Sequence, residues 1–158
     1  MHDLKKPMVD TQVGNKIKEK WTPGRKNHAC AFHPGTNGNK AYVIVAGGMA
    51  PFVLRDKGKC KDGCDSAEVL KSTEVYYLDG GNELDGDMIE KRQNYMLVTD
   101  KNKIYALGGS TVSNFLLDSV EEWRDSTKTW VKASWKLKVP RVQFGAVVVD
   151  GKMICPSD

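Results

Sequence analysis

"NKIYALGGSTVSNFLLDSVEEWRDSTKTW", residues 102–130, is the stretch that decides the fold. A segment rich in apolar residues ends in the glycine pair Gly108–Gly109, a loop follows, and a second such segment ends at Trp123. Trp130 stands seven residues later in a third segment. Short runs of β-branched and aromatic residues that are separated by polar turns predict antiparallel strands.

The same features recur in the same order elsewhere in the chain. Residues 41–48 (AYVIVAGG) repeat the strand and glycine pair of residues 104–109 (IYALGG). An arginine precedes each copy and a Ser-x-Glu strand follows each pair. The arginines are Arg25, Arg92 and, opening a third copy, Arg141; the serines are Ser72 and Ser119. The arginines are 67 and 49 residues apart, and most of the excess in the first copy is an insertion at residues 49–71.

With these repeats the chain resembles the kelch family, whose repeat is about 50 residues long. The family's motif is an apolar strand ending in two glycines, then an aromatic residue, six further residues and a tryptophan. The second copy matches it with Gly108–Gly109, Trp123 and Trp130. The resemblance implies an all-β fold of four-stranded antiparallel blades that belong to a kelch-type β-propeller.

The other two copies follow the motif less completely. The first has Gly47–Gly48 and Tyr76, but Glu83 or Leu84 stands where the tryptophan is expected. The third has Ser157–Asp158 at the place of the glycine pair. The resemblance therefore divides the chain into an N-terminal segment or end of a preceding blade, two repeats, and the start of a third. These are residues 1–24, 25–91, 92–140 and 141–158.

About two and a half repeats cannot close a propeller of four to eight blades. We therefore expect an incomplete propeller, completed by further blades or by other chains.

Most of the motif residues are expected to build the blades. Glycines allow positive φ and close backbone approach, and large aromatic side chains fill the wedge between neighbouring blades. This structural interpretation covers Gly47, Gly48, Tyr76, Gly108, Gly109, Trp123 and Trp130. Two alternatives are open for Arg25, Arg92 and Arg141: they tie neighbouring loops through backbone carbonyls, or they face a ligand in the central channel.

The loops are the expected binding surface, because the strands are committed to packing. Residues 49–71 have an apolar start, and residues 110–118 place Phe115 and Leu116 in an otherwise polar loop. These apolar residues either form a contact surface or tuck beneath a neighbouring blade. The predicted binding residues are Phe52, Arg55, Asn114, Phe115 and Leu116, joined by Arg92 and Arg141 if the arginines face a ligand.

The four cysteines fall into two kinds of surroundings. Cys30 and Cys155 lie in apolar, strand-like segments, which predicts buried thiols. Cys60 and Cys64 lie in the charged loop KGKCKDGCDS, where they form either a local disulfide or two exposed thiols. The compartment is left open: cytoplasmic by default, and extracellular if that disulfide forms.

Composition and motifs exclude several classes of function. The net charge is +4, and the lysines are scattered among 20 acidic residues rather than gathered in the stripe that nucleic acid requires. No apolar run approaches the ~20 residues that span a bilayer. No catalytic, Walker or zinc motif occurs, so no catalytic residue, metal or cofactor is expected.

Two classes of function remain. The first is a non-catalytic kelch module that binds a protein partner through its inter-strand loops. The second is part of a kelch-like enzyme or carbohydrate-binding propeller whose catalytic elements lie outside this chain. Nucleic acid and membrane partners are not expected.

Overall fold

The computed structural model describes residues 25–35, 38–51, 67–111, 115–149 and 152–154. All regular structure in these ranges is β-strand, with no helix among the described residues, as the predicted all-β class requires. The strands are β1 (Ala29–His33), β2 (Tyr42–Ala46), β3 (Met49–Pro51), β4 (Ala67–Val69), β5 (Thr73–Tyr77), β6 (Asn82–Asp85), β7 (Met96–Asp100), β8 (Lys103–Leu107), β9 (Ser119–Arg124), β10 (Thr129–Lys136), β11 (Val147–Val149) and β12 (Lys152–Ile154).

Two four-stranded antiparallel sheets dominate the structure. The first, blade 1, has the strand order β1-β2-β5-β6, and the second, blade 2, has the order β7-β8-β9-β10. The pair β11-β12 begins a third unit, and β3 pairs with β4 in a separate hairpin. None of the sheets within the described ranges closes on itself, as expected of an incomplete propeller.

The main hydrophobic core lies between the two blades. Blade 1 contributes Tyr42, Ile44, Ala46 and Val75, and blade 2 contributes Leu97, Ile104, Ala106, Trp123 and Trp130. The indole Nε1 of Trp123 donates to the Tyr42 hydroxyl at 3.0 Å, and that of Trp130 donates to Thr73 Oγ1 at 2.9 Å. Each tryptophan thus adds a hydrogen bond across the interface to a buried area on the order of 150–250 Å².

A second core lies on the other face of blade 2. Val98, Tyr105, Leu107, Val120 and Leu137 form it, and Phe144, Ala146 and Val148 of the third unit pack against it. Side chains alternate between the two faces of a strand, so one blade serves two interfaces. Blade 2 is therefore enclosed between blade 1 and the start of the third unit.

The glycine pairs bring each blade close to the next repeat. Gly48 and Gly109 have φ angles of +87° and +94°, in the left-handed region that favours glycine. Their amides donate to the carbonyls of Arg92 (2.7 Å) and Arg141 (2.9 Å), which open the following repeats. A Cβ atom at Gly109 would lie 2.8 Å from the Gln93 carbonyl oxygen, so close backbone approach requires glycine here.

The structure differs from the sequence expectations at three elements. Residues 49–71, predicted as a loop, form the β3-β4 hairpin at their two ends, with Met49 opposite Val69. Asn82, rather than Glu83 or Leu84, lies opposite Tyr76, as Trp130 lies opposite Trp123. The shift arises because the paired residues Tyr76 and Asn82 are six positions apart in the sequence, one fewer than Trp123 and Trp130.

Cys30 is the third difference, because its predicted burial is wrong. This residue is a free, exposed cysteine. It lies in β1 on the face of blade 1 that points away from blade 2, whereas Tyr42 and Ile44 of β2 point into the core. Cys155, Cys60 and Cys64 lie outside the described residues.

Candidate functional site

The connections between strands divide into two groups at opposite ends of the blades. One group, the turn end, holds the described parts of residues 34–41, 78–81, 101–102 and 125–128. The other group, the loop end, holds the described parts of residues 47–72, 86–95, 108–118 and 137–146. Antiparallel strand order places alternate connections at the same end of a sheet. The described candidates Phe115, Leu116, Arg92 and Arg141 all belong to the loop end.

Arg92 is fully buried at the loop end of blade 2. Its guanidinium donates to the carbonyl oxygens of Gly108 (2.7 Å) and Ser119 (3.0 Å), and to Glu121 Oε1 at 2.9 Å. It also donates to Ser119 Oγ and to Glu90 Oε2. Of the two alternatives for the arginines, this geometry favours the structural one, in which Arg92 links backbone segments through their carbonyls. A fully buried guanidinium has no surface that a ligand could contact.

Arg25 makes the same kinds of bond in blade 1. Its Nη1 donates to the carbonyl oxygens of Gly47 (2.9 Å) and Ser72 (3.1 Å), and its Nη2 bonds Ser72 Oγ and Glu74. The Ser-x-Glu sequence therefore supplies three acceptors to the arginine in each blade: the serine carbonyl, the serine hydroxyl and the glutamate carboxylate. The arginine and the Ser-x-Glu strand recur together in both repeats, and this recurrence is the sequence signal for their pairing.

Glu121 positions a further segment of the loop end. Its carboxylate accepts hydrogen bonds from the amides of Ile89 (2.7 Å) and Glu90 (3.0 Å), in the connection between β6 and β7. The Ile89 side chain is 53% exposed. Glu121 thus fixes an exposed apolar residue that the sequence alone does not reveal, since the contact spans 32 residues of sequence.

Arg141 is half-buried beside the loop that contains Phe115. Its amide donates to the Leu117 carbonyl at 3.3 Å, and its guanidinium carbon lies 5.8 Å from the centre of the Phe144 ring. Both the structural and the ligand-facing alternatives stay open for this arginine.

The loop between β8 and β9 presents two exposed apolar side chains. Phe115 is 71% exposed and Leu116 is 50% exposed. Backbone bonds hold the loop: the Thr111 amide donates to the Phe115 carbonyl at 3.0 Å, and the Leu117 amide donates to the Gly109 carbonyl at 2.8 Å. Of the two sequence alternatives, the structure shows these side chains exposed rather than tucked beneath a neighbouring blade. Asn114 lies outside the described residues, as do Phe52 and Arg55.

The surroundings of this loop combine apolar and charged groups. Val139, in the connection that follows β10, is 56% exposed at the same end of the blades. Lys136 and Asp118 form an exposed ion pair at 2.6 Å beside β9 and β10. Exposed apolar residues bordered by polar groups are typical of protein contact surfaces.

The turn end holds a cleft of about 600 Å³ between the two blades. Asp125 is its best-bonded residue: Oδ1 accepts from the Tyr42 hydroxyl (2.9 Å) and from Lys128 Nζ (2.6 Å), and Oδ2 accepts from Asn39 (3.3 Å). The Lys128 ammonium also lies 4.7 Å from the centre of the Tyr42 ring. The polar groups of Asp125, Tyr42, Lys128 and Asn39 hydrogen-bond to one another, so they join the two blades at this cleft.

The carboxyl groups around this cleft have shifted pKa values. Burial alone would raise the pKa of Asp125, but hydrogen bonds from Lys128 and Tyr42 hold it below the usual range. Burial and the charge of Glu83 raise the pKa of Asp85, whose buried Oδ2 has no hydrogen-bond partner among the described residues. Burial, with the bond to Glu83, raises the pKa of Tyr77 to about 12.

The described residues contain neither a metal-binding cluster nor a membrane-spanning helix. Within these ranges, no three histidine, cysteine, aspartate or glutamate side chains are grouped so that they could hold a metal ion. The described part of the chain also has no helix with the length and apolar character needed to cross a membrane.

Residues 92–134 match the family model of the Kelch motif. The match begins at Arg92, spans β7, β8 and β9, and ends within β10, so it covers blade 2 almost completely. Blade 2 therefore carries a kelch motif, and the antiparallel sheets of the described residues are consistent with a partial kelch propeller. Kelch motifs are commonly protein-interaction modules. A comparison with curated proteins found no match. The repeat boundaries at residues 25, 92 and 141 stay predictions.

Proposed function

We propose that this chain is a non-catalytic kelch-repeat module that binds a protein partner through its loop end. The exposure of Phe115 supports this proposal most strongly, because 71% of a large apolar side chain faces solvent on a hydrogen-bonded loop. Burial of such a side chain at an interface contributes about 1.5–3 kcal/mol. Leu116 and Ile89 are further exposed apolar residues at the same end.

The hydrogen bonds that order the loop should also raise the affinity of these contacts. The bonds at Thr111 and Leu117 fix both sides of the described loop, so less conformational entropy is lost on binding. The ion pair of Lys136 and Asp118 lies beside it and supplies a polar border that orients a partner. The strands behind the loop remain committed to the two cores, and binding requires no change in them.

The experiment is photo-crosslinking of the whole chain in an extract of the cells that make it. A photoreactive residue replaces Phe115 in one variant and Lys101, which is exposed at the turn end, in a matched control. We expect a protein adduct at position 115 that is absent at position 101. Adducts at position 101 alone would contradict the proposal.

The non-catalytic part of the proposal has a separate test. Metal analysis of the purified chain is expected to find no stoichiometric transition metal. Stoichiometric copper or another transition metal would instead support membership in a kelch-like enzyme.

A further inference from the structure

Blade 1 has one face that points away from blade 2, which we call the outer face. Cys30, Phe32, Val43, Val45 and Tyr76 lie on it. Phe32 is 49% exposed, Cys30 is exposed, and the other three are half-buried. These apolar residues surround one charged group, Glu74, which bonds Arg25 and the Tyr76 hydroxyl, and the face is more exposed to solvent than a core face.

The equivalent face of blade 2 shows what such a face normally contacts. The arginine network and the glycine pair align β2 with β8 and β5 with β9, so that Val43 corresponds to Ile104, Val45 to Ala106 and Tyr76 to Trp123. These blade 2 residues are all buried, because blade 1 packs on them: Ile104 is 0%, Ala106 0% and Trp123 2% exposed. The outer face of blade 1 is therefore built as one half of a blade interface.

The other half of a blade interface is presented by β11. Val148 packs against the second core, and its neighbours Val147 and Val149 point away from blade 2, with exposures of 55% and 44%. On β7, the corresponding residue Val98 is only 6% exposed, because the third unit packs on its side of blade 2. One chain thus displays both halves of the same kind of contact.

Backbone hydrogen bonds also join each repeat to the next one along the chain, and they form a ladder across the blades. The Asn94 amide donates to the Asn27 carbonyl at 3.0 Å, and the Gln143 amide donates to the Asn94 carbonyl at 3.0 Å. All three residues have φ angles between +52° and +57°. Each repeat therefore offers a carbonyl to the next one, and the Gln143 carbonyl is the place where an Asn27 amide would extend the ladder.

We propose that two copies of the chain associate head to tail, with Val147 and Val149 of one copy against the outer face of blade 1 of the next. The contact continues the interface that already joins blade 1 to blade 2. Such an interface is heterologous, because each copy uses two different surfaces. It is independent of the partner proposed for the loop end.

The test measures the mass of the full chain by sedimentation over a concentration series. We expect the wild type to form dimers or larger species as concentration rises. Phe32→Glu and Val147→Glu each remove one half of the contact, so each variant alone should be monomeric. Mixed together, they should form a dimer, because each supplies the half that the other lacks. Leu78→Glu, at an exposed turn-end position, is the matched control and should associate like the wild type.

Two results would overturn the proposal. One is a wild type that stays monomeric throughout the series. The other is a mixture that fails to dimerise although both variants have wild-type circular dichroism. Alkylation of Cys30, followed peptide by peptide on the wild type, is a second measurement that needs no variant. Its rate should fall as protein concentration rises, whereas a constant rate would contradict burial of the outer face.

Discussion

Replacement of Arg92 by methionine should destabilise the fold more than any single surface change. The substitution keeps an unbranched side chain of similar length but removes every donor of the guanidinium. The carbonyls of Gly108 and Ser119 and the carboxylate of Glu121 then lose bonds of 2.7, 3.0 and 2.9 Å. Glu121 is 1% exposed, so its charge has no access to water as a replacement.

The expected magnitude follows from this burial. Removal of one partner of a buried ion pair costs about 3–5 kcal/mol, because the remaining charge is left uncompensated. Glu121 keeps its bonds from the amides of Ile89 and Glu90, which favours the lower half of that range. A small domain is stable by only about 5–15 kcal/mol, so the loss is a large fraction of the total.

Urea unfolding followed by tryptophan fluorescence measures this loss, since Trp123 and Trp130 are buried between the blades. Arg92→Lys keeps the charge without the forked geometry and should lie between the wild type and Arg92→Met. Arg124→Met is the matched control: its side chain is 56% exposed and 3.5 Å from Glu122, so the change should be below about 1 kcal/mol. Equal unfolding midpoints for Arg92→Met and Arg124→Met would refute the structural role of Arg92.

Two further predictions concern stability. Gly109→Ala should destabilise the chain by about 3 kcal/mol, because it combines left-handed backbone strain with a Cβ 2.5 Å from the Cβ of Tyr95. Gly80→Ala is the control, since φ is +98° there but the surrounding space is open. In the same urea titration it should destabilise the chain by only about 1 kcal/mol. Asp85→Asn should stabilise the chain at neutral pH by about 1 kcal/mol, because the ionised carboxylate has a buried, unpartnered oxygen. Since the pKa of Asp85 is raised, wild-type stability falls as pH rises through that pKa, and the gain from asparagine should shrink in acid. The exposed Asp87→Asn is the control, and a gain equal to that of Asp85→Asn would contradict the burial argument.

The sequence predicts the blades well because their signals are local. The strand before Gly108–Gly109, the aromatic positions and the alternation of β9 all follow from neighbouring residues. Long-range pairing could not be predicted in the same way. The bond between Arg92 and Glu121 spans 29 residues, and only the folded sheet brings these groups together.

Three elements of the structure show what overrides local sequence pattern. The strand β6 is polar (NELD) and forms because β5 offers it a partner, and the β3-β4 hairpin has only three residues in each strand. Cys30 lies in an apolar segment but on the outer face of blade 1, which a strand pattern alone cannot distinguish from the core face. The sequence does not decide whether Phe115 is exposed, because its exposure depends on how the loop closes on Gly109.

The affinity of the crosslinked partner for variants of the chain tests the loop-end interface most directly. Phe115→Ala combined with Leu116→Ala should weaken binding at least about tenfold, since tenfold corresponds to only 1.4 kcal/mol and the two side chains bury more than that. Leu78→Ala, 61% exposed at the turn end, should leave the affinity unchanged. Unaltered binding by the double variant, or equal loss in both proteins, would contradict a partner surface at the loop end.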